Sequence, residues 1–164
     1  MHDGKGLLET IQRVCKMGRE NGYYWRERYN EKGGYGAEKY CEYPANLIRI
    51  IQRFLLGVEH GTDGTLYLGP TVPDEYWKAG FGQLLSWQGR TIQYNMSADG
   101  IKGDYTGPAP QQLSVRLLMP SDKKTIHATI NGITAKSVLK DGWITLHLPA
   151  SNDETPCKFK IRNL

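Results

Sequence analysis

The feature that most constrains this chain is a change of hydrophobic period. From about Thr65 onward apolar residues recur at every second position: Leu66 and Leu68; Ile92, Tyr94 and Met96; Leu113, Val115, Leu117 and Met119; Ile126, Ala128 and Ile130; Ile144, Leu146 and Leu148; Cys157, Phe159 and Ile161. Side chains alternate across a strand, so each run offers one face to a core and one to water. Gln88-Gly89, Asp99-Gly100, Asn131-Gly132 and Asp141-Gly142 punctuate the runs, and such pairs supply the positive φ of tight hairpins. One buried face per strand is the habit of antiparallel sheets. This many short strands in roughly a hundred residues predict a β-sandwich, with a barrel as the alternative.

Before that point the period is helical, and residues 6–61 read as helix and loop. Leu7, Leu8, Ile11, Val14 and Cys15 recur at helical spacing, with Gly18 and Gly22 near the expected end. A second helix is predicted from near Pro44, a residue suited to a first turn because its missing N–H costs nothing there. It carries Leu47, Ile48, Ile50, Ile51, Phe54, Leu55, Leu56 and Val58, with Gly57 and Gly61 at its end. That apolar surface is too broad for a helix lying on the outside of a small domain. It needs cover from the sandwich, from a second copy of the chain, or from a larger helical body. The segment GPTVPDEYWKAGFG reads as a rigid connector in which Tyr76, Trp77 and Phe81 want burial. The expected fold class is α+β: an N-terminal helical pair over residues 1–61, then an antiparallel β-sandwich over 62–164.

Composition removes several function classes. The 164 residues are 23% charged and carry a net charge of +4, but Lys and Arg are interspersed. Without a basic cluster, a nucleic-acid partner is not expected. Lys158, Lys160 and Arg162 alternate with apolar neighbours and read as the wet face of a strand. No apolar run approaches the ~20 residues of a membrane-spanning helix, so no membrane partner is expected, and the N-terminus lacks the pattern of a secretory signal. Cys15, Cys41 and Cys157 are an odd number without a CxxC pair, which argues against a metal site or a disulfide framework. Cys15 and Cys157 read as buried thiols. His127 and His147 fall on the polar phase of strands. No metal and no cofactor are expected.

The chemistry-bearing stretch is YYWRERYN, residues 23–30, which falls between the two helices and reads as a loop. Glu27 stands between Arg26 and Arg28, and nearby positive charge favours an ionised carboxylate suited to general-base work. Tyr23, Tyr24, Trp25 and Tyr29 supply rings on which the apolar faces of sugars stack. Arg26, Arg28 and Asn30 supply partners for hydroxyls. The plainer reading makes Glu27 an ion-paired loop residue among core aromatics. A second cluster, Glu38, Tyr40, Glu42 and Tyr43, precedes the second helix behind an adaptable loop containing Gly33, Gly34 and Gly36. The helix dipole alone accounts for an acid such as Glu42.

The order of these motifs resembles the C-terminal end of glycoside hydrolases built on an (α/α)6 barrel. WRERYN, GAEKYCEYP and ANLIRIIQRFLLGV are similar to the last helix pair with its loops, GTLYLGPTVPDEYW to the crossing from barrel to sandwich, and ATINGITAK with DGWITLHLP to the terminal strands. ERYN resembles the ERW(N/D) segment of α-L-rhamnosidase-type enzymes. Here Arg26 separates Trp25 from Glu27, and Tyr29 stands where Trp is usual. The resemblance implies Glu27 as general base, with Trp25, Arg28, Tyr29, Asn30, Glu38 and Tyr40 lining a carbohydrate site. It also implies that the general acid comes from an earlier helix–loop unit. Inverting hydrolysis needs two carboxyl groups, so the chain is expected to be a C-terminal fragment, inactive alone. Its partners would be carbohydrate and either the missing N-terminal barrel region or a second copy, and the parent would be secreted or periplasmic. The alternative is a non-catalytic sandwich module serving oligomerisation or carbohydrate binding, the latter through Trp87 or Trp143.

Overall fold

The computed structural model describes residues 3–22, 26–30, 32–38, 42–118 and 125–163. The chain forms two compact units, one of Met1–Gly57 with Pro70–Pro73 and one of Val58–Gly69 with Asp74–Leu164.

The first unit opens with α1 (Gly4–Glu20). Asp3 caps it, its side chain accepting from the Gly6 N–H at 2.9 Å, which satisfies one of the donors a helix start leaves open. Ile11 is buried on its apolar stripe, while Leu7, Leu8, Val14 and Cys15 are half-buried. The segment read as a loop is instead a hairpin of β1 (Arg26–Asn30) and β2 (Gly33–Glu38). α2 (Glu42–Ile50) follows with Pro44 in its first turn, as expected. It widens into a π-helical turn over Ile51–Leu55, closed by the Leu56 N–H donating to the Ile51 carbonyl at 2.9 Å. The chain then turns at Gly57, where φ is +66°. Ile48 is 64% exposed and Phe54 51% exposed. Residues 70–73 rejoin this unit, and the Thr71 N–H bonds the Leu55 carbonyl at 2.9 Å. No helix among the described residues is long and apolar enough to cross a membrane.

The second unit is the predicted β-sandwich. It contains β3 (Val58–His60), β4 (Leu66–Leu68), a short helix α3 (Asp74–Ala79), β5 (Phe81–Trp87), β6 (Arg90–Ser97), β7 (Gly100–Thr106), β8 (Gln111–Val115), β9 (Ile126–Ile130), β10 (Ile133–Thr134), β11 (Val138–Lys140), β12 (Trp143–Leu148) and β13 (Cys157–Asn163). One sheet runs β10-β9-β13-β7-β6-β5, the other β11-β12-β8-β4-β3. All pairings are antiparallel except β4 with β8, which is parallel. Leu66, Leu68, Ile92, Tyr94, Met96, Leu113, Val115, Ile144, Leu146, Leu148, Phe159 and Ile161 form the core, each at 2% exposure or less. These are the residues the period of two selects. Gln88-Gly89, Asn131-Gly132 and Asp141-Gly142 each have both φ values positive, the geometry whose twist matches paired strands.

Four expectations need adjustment. Val58, placed on the second helix, begins a strand. Trp77 is buried, but Tyr76, expected inside with it, is 41% exposed. Cys157 is buried, whereas Cys15 is only half-buried; Cys41 lies outside the described residues. Lys158 and Arg162 are exposed and Lys160 half-buried, largely the wet face expected.

Candidate functional site

The hairpin gives the proposed sugar-binding stretch a defined backbone. Arg26 lies opposite Glu38, Arg28 opposite Tyr35, Tyr29 opposite Gly34 and Asn30 opposite Gly33. Between Arg26 and Arg28 the register slips, so that one residue, Glu27, stands across from two, Gly36 and Ala37. Gly36 has φ +86°, a conformation this bulge needs and other residues rarely adopt. Arg26 and Arg28 sit two positions apart on β1, on either side of the slip in register. Bulges re-aim side chains and are frequent beside active sites.

Of the predicted site residues, the hairpin gathers the backbones of Glu27, Arg28, Tyr29, Asn30 and Glu38. Arg28 is exposed, and Asn30, also exposed, accepts through Oδ1 from the Lys32 N–H at 2.9 Å, an Asx-type bond that shapes the turn. Trp25 and Tyr40 lie outside the described residues, as do the side chains of Glu27, Tyr29 and Glu38. Glu42 opens α2 in an exposed position. No cluster of three metal-ligating side chains occurs among the described residues.

The sandwich unit separates its two candidate tryptophans. The Trp143 ring is occupied by packing: Tyr67 meets it edge-on with centroids 5.2 Å apart, and the Arg116 guanidinium lies 4.4 Å from its centre. Trp87, half-buried at the end of β5, meets the His60 ring at 5.1 Å and 54°, its one ring contact among the described residues. It borders a cleft of about 670 Å³ together with His60, Asp63, Arg90, Gln112 and His147. Sequence reading singled out Trp87 but missed His60, Arg90 and Gln112, which come from separate strands and turns with no local pattern linking them.

Asp63 holds the edge of this cleft in place. Its carboxylate accepts from the Thr65 N–H at 3.0 Å and the Thr65 hydroxyl at 2.9 Å, and these bonds hold its pKa below the ordinary carboxylate value. Elsewhere in the core, Tyr94 is buried with no partner for its hydroxyl among the described residues, and burial drives its pKa strongly upward.

No family model and no curated protein matches this chain. Among solved structures it is similar to a GH127 β-L-arabinofuranosidase from Geobacillus stearothermophilus, at 18% identity and TM-score 0.44, over 84% of this chain and 22% of that one. A second GH127 β-arabinofuranosidase gives 13% identity and TM-score 0.40 over 61% of this chain and 18% of the other. A GH30 endoxylanase from Clostridium papyrosolvens gives 12% and 0.35 over 50% and 22%. The chain spans about a fifth of the length of each of these structures.

Proposed function

We propose that this chain is the C-terminal portion of a carbohydrate-acting enzyme of the glycoside hydrolase kind, contributing one wall of its site and not the whole reaction. The observation that carries this reading is the open apolar face of the first unit. Ile48 and Phe54 stand well exposed on the α2 segment, immediately after a hairpin of sugar-compatible residues. A helical body that continued in the same polypeptide would cover that face, and the resemblance to a barrel's last helix pair supplies the form of the cover. Glu27, at the bulge, would serve as general base, taking the proton of the water that attacks the anomeric carbon. Arg28, Tyr29, Asn30 and Glu38 would line the sugar, with Trp25 and Tyr40. The general acid would come from the preceding helices, so these 164 residues alone would not hydrolyse a glycoside.

The native polypeptide decides the matter. Its mass, with the reading frame upstream of Met1, should reveal further helical pairs and a second carboxylate. In that full chain Glu27→Gln should lower kcat by about two to four orders of magnitude. A native mass equal to this chain alone, or full turnover with Glu27→Gln, would overturn the assignment.

A further inference from the structure

The cleft beside Trp87 has the makings of a binding site that does not depend on Glu27. Its walls come from four parts of the sandwich unit: the end of β3 with the turn to Gly64, the β5–β6 hairpin tip, the approach to β8, and β12. Two devices tie these walls together. Gln111 is buried, and its amide donates to the Gly64 carbonyl at 2.8 Å and the Gln112 carbonyl at 2.9 Å. Asp63 locks the facing turn onto Thr65, which is fully buried. A cleft held open in this way spends little conformational entropy when it binds. At about 670 Å³ it lies within the ~300–1,000 Å³ of small-molecule sites.

The polar groups left over define the ligand. Among the described residues the side chains of Gln88, Gln112 and His147 make no hydrogen bond and border this space. An amide and a neutral imidazole each both donate and accept, which matches a hydroxyl group that does the same. Trp87 adds a ring surface for apolar C–H faces. Arg90 borders the same space, and its guanidinium also reaches the Tyr105 hydroxyl. Fixed charge is balanced, with Arg90 against Asp63, so an anionic ligand gains no net attraction. We propose that this end of the sandwich, framed by His60, Trp87, Gln88, Arg90, Gln112 and His147, binds a neutral oligosaccharide.

The test is amide and indole NMR of the whole chain, titrated with xylohexaose, cellohexaose and maltohexaose, and with a trigalacturonate as the anionic comparator. The Trp87 indole N–H and the Gln112 side-chain amide should shift saturably with at least one neutral sugar. Trp87→Ala should weaken that binding about ten-fold or more, in the manner of a binding hot spot, and Gln112→Ala about five-fold. The readout is confined to cleft resonances and needs no turnover, so failure here is distinct from failure of the catalytic reading. Absence of saturable shifts with all three neutral sugars would sink the proposal. So would shifts confined to residues outside the cleft, or tighter binding of the trigalacturonate. Should Trp87→Ala not fold, Gln112→Ala decides, and unchanged affinity in that variant counts against the site.

Discussion

The two units of this chain treat their apolar residues in opposite ways. In the sandwich, most of the described residues that the alternating period selects are buried to within 2% of complete, with Leu117 at 6% and Ile126 and Ile130 half-buried. In the helical unit, α1 buries Ile11 and two glycines, the π-helical turn buries nothing, and Ile48 and Phe54 face solvent. The difference lies in where the cover comes from. Two sheets bury each other's inner faces, so a sandwich closes its own core. A helix with apolar residues around more than one side needs neighbours on each of those sides.

The sharpest way to break that contrast is to truncate one residue on each side of it. Leu146→Ala removes a fully buried side chain between β8 and β11, and should cost about 2–5 kcal/mol. Hydrogen exchange at the β12 and β8 amides would read that loss. Phe54→Ala removes a half-exposed ring and should change the stability of α1 and α2 by no more than about 0.5 kcal/mol. A cost for Phe54→Ala comparable with that of Leu146→Ala would mean that its face is already covered in solution, by a second copy of the chain.

A smaller effect tests a polar flaw in the well-packed unit. Tyr94 carries its hydroxyl into the core without a partner among the described residues. An unsatisfied buried hydroxyl costs about 1–3 kcal/mol, while its removal leaves the packed ring in place. Tyr94→Phe should therefore raise stability to denaturant by about 1 kcal/mol. A loss of stability would show that the hydroxyl has a partner, an enclosed water or another group.

The same contrast explains what the sequence made legible. β4, β6, β8, β9, β12 and β13 announce themselves because Leu, Ile, Val and Phe alternate with polar residues. β5 and β7 do not, because Gln83 and Gly103 occupy inward positions: Gln83 Nε2 is buried, and any side chain at Gly103 would run into Phe159 and Tyr94. β3, β10 and β11 have two or three residues each, too few to show a period. The β1–β2 hairpin was read as a loop because Arg, Glu and Asn dominate one strand and glycines the other, so no apolar phase marks either. The site residues were legible as types, but the slip that sets Glu27 opposite Gly36 and Ala37 is a property of pairing. The Trp87 cleft was hidden for a related reason: His60, Arg90, Gln112 and His147 meet only after the sheets form.

The smallest effect concerns the turn that shapes that cleft. Thr65 gives both its N–H and its hydroxyl to the Asp63 carboxylate, and both bonds favour the charged form, so the pKa lies below 3.8. A depressed folded pKa means that the turn's contribution is complete above the ordinary carboxylate pKa and fades as pH falls through the lower, folded value. The Thr65 amide resonance should therefore titrate with a midpoint below 3.8. Asp63→Asn keeps an acceptor for the N–H but has no proton to take up, and should abolish the titration with little change in fold. Because Asp63 is exposed, salt and solvent screen its field, and the reach of the effect should end within the turn. A midpoint at or above the ordinary value would mean that the Thr65 bonds are not held in solution, and the cleft would then lose one of the two ties that keep it open.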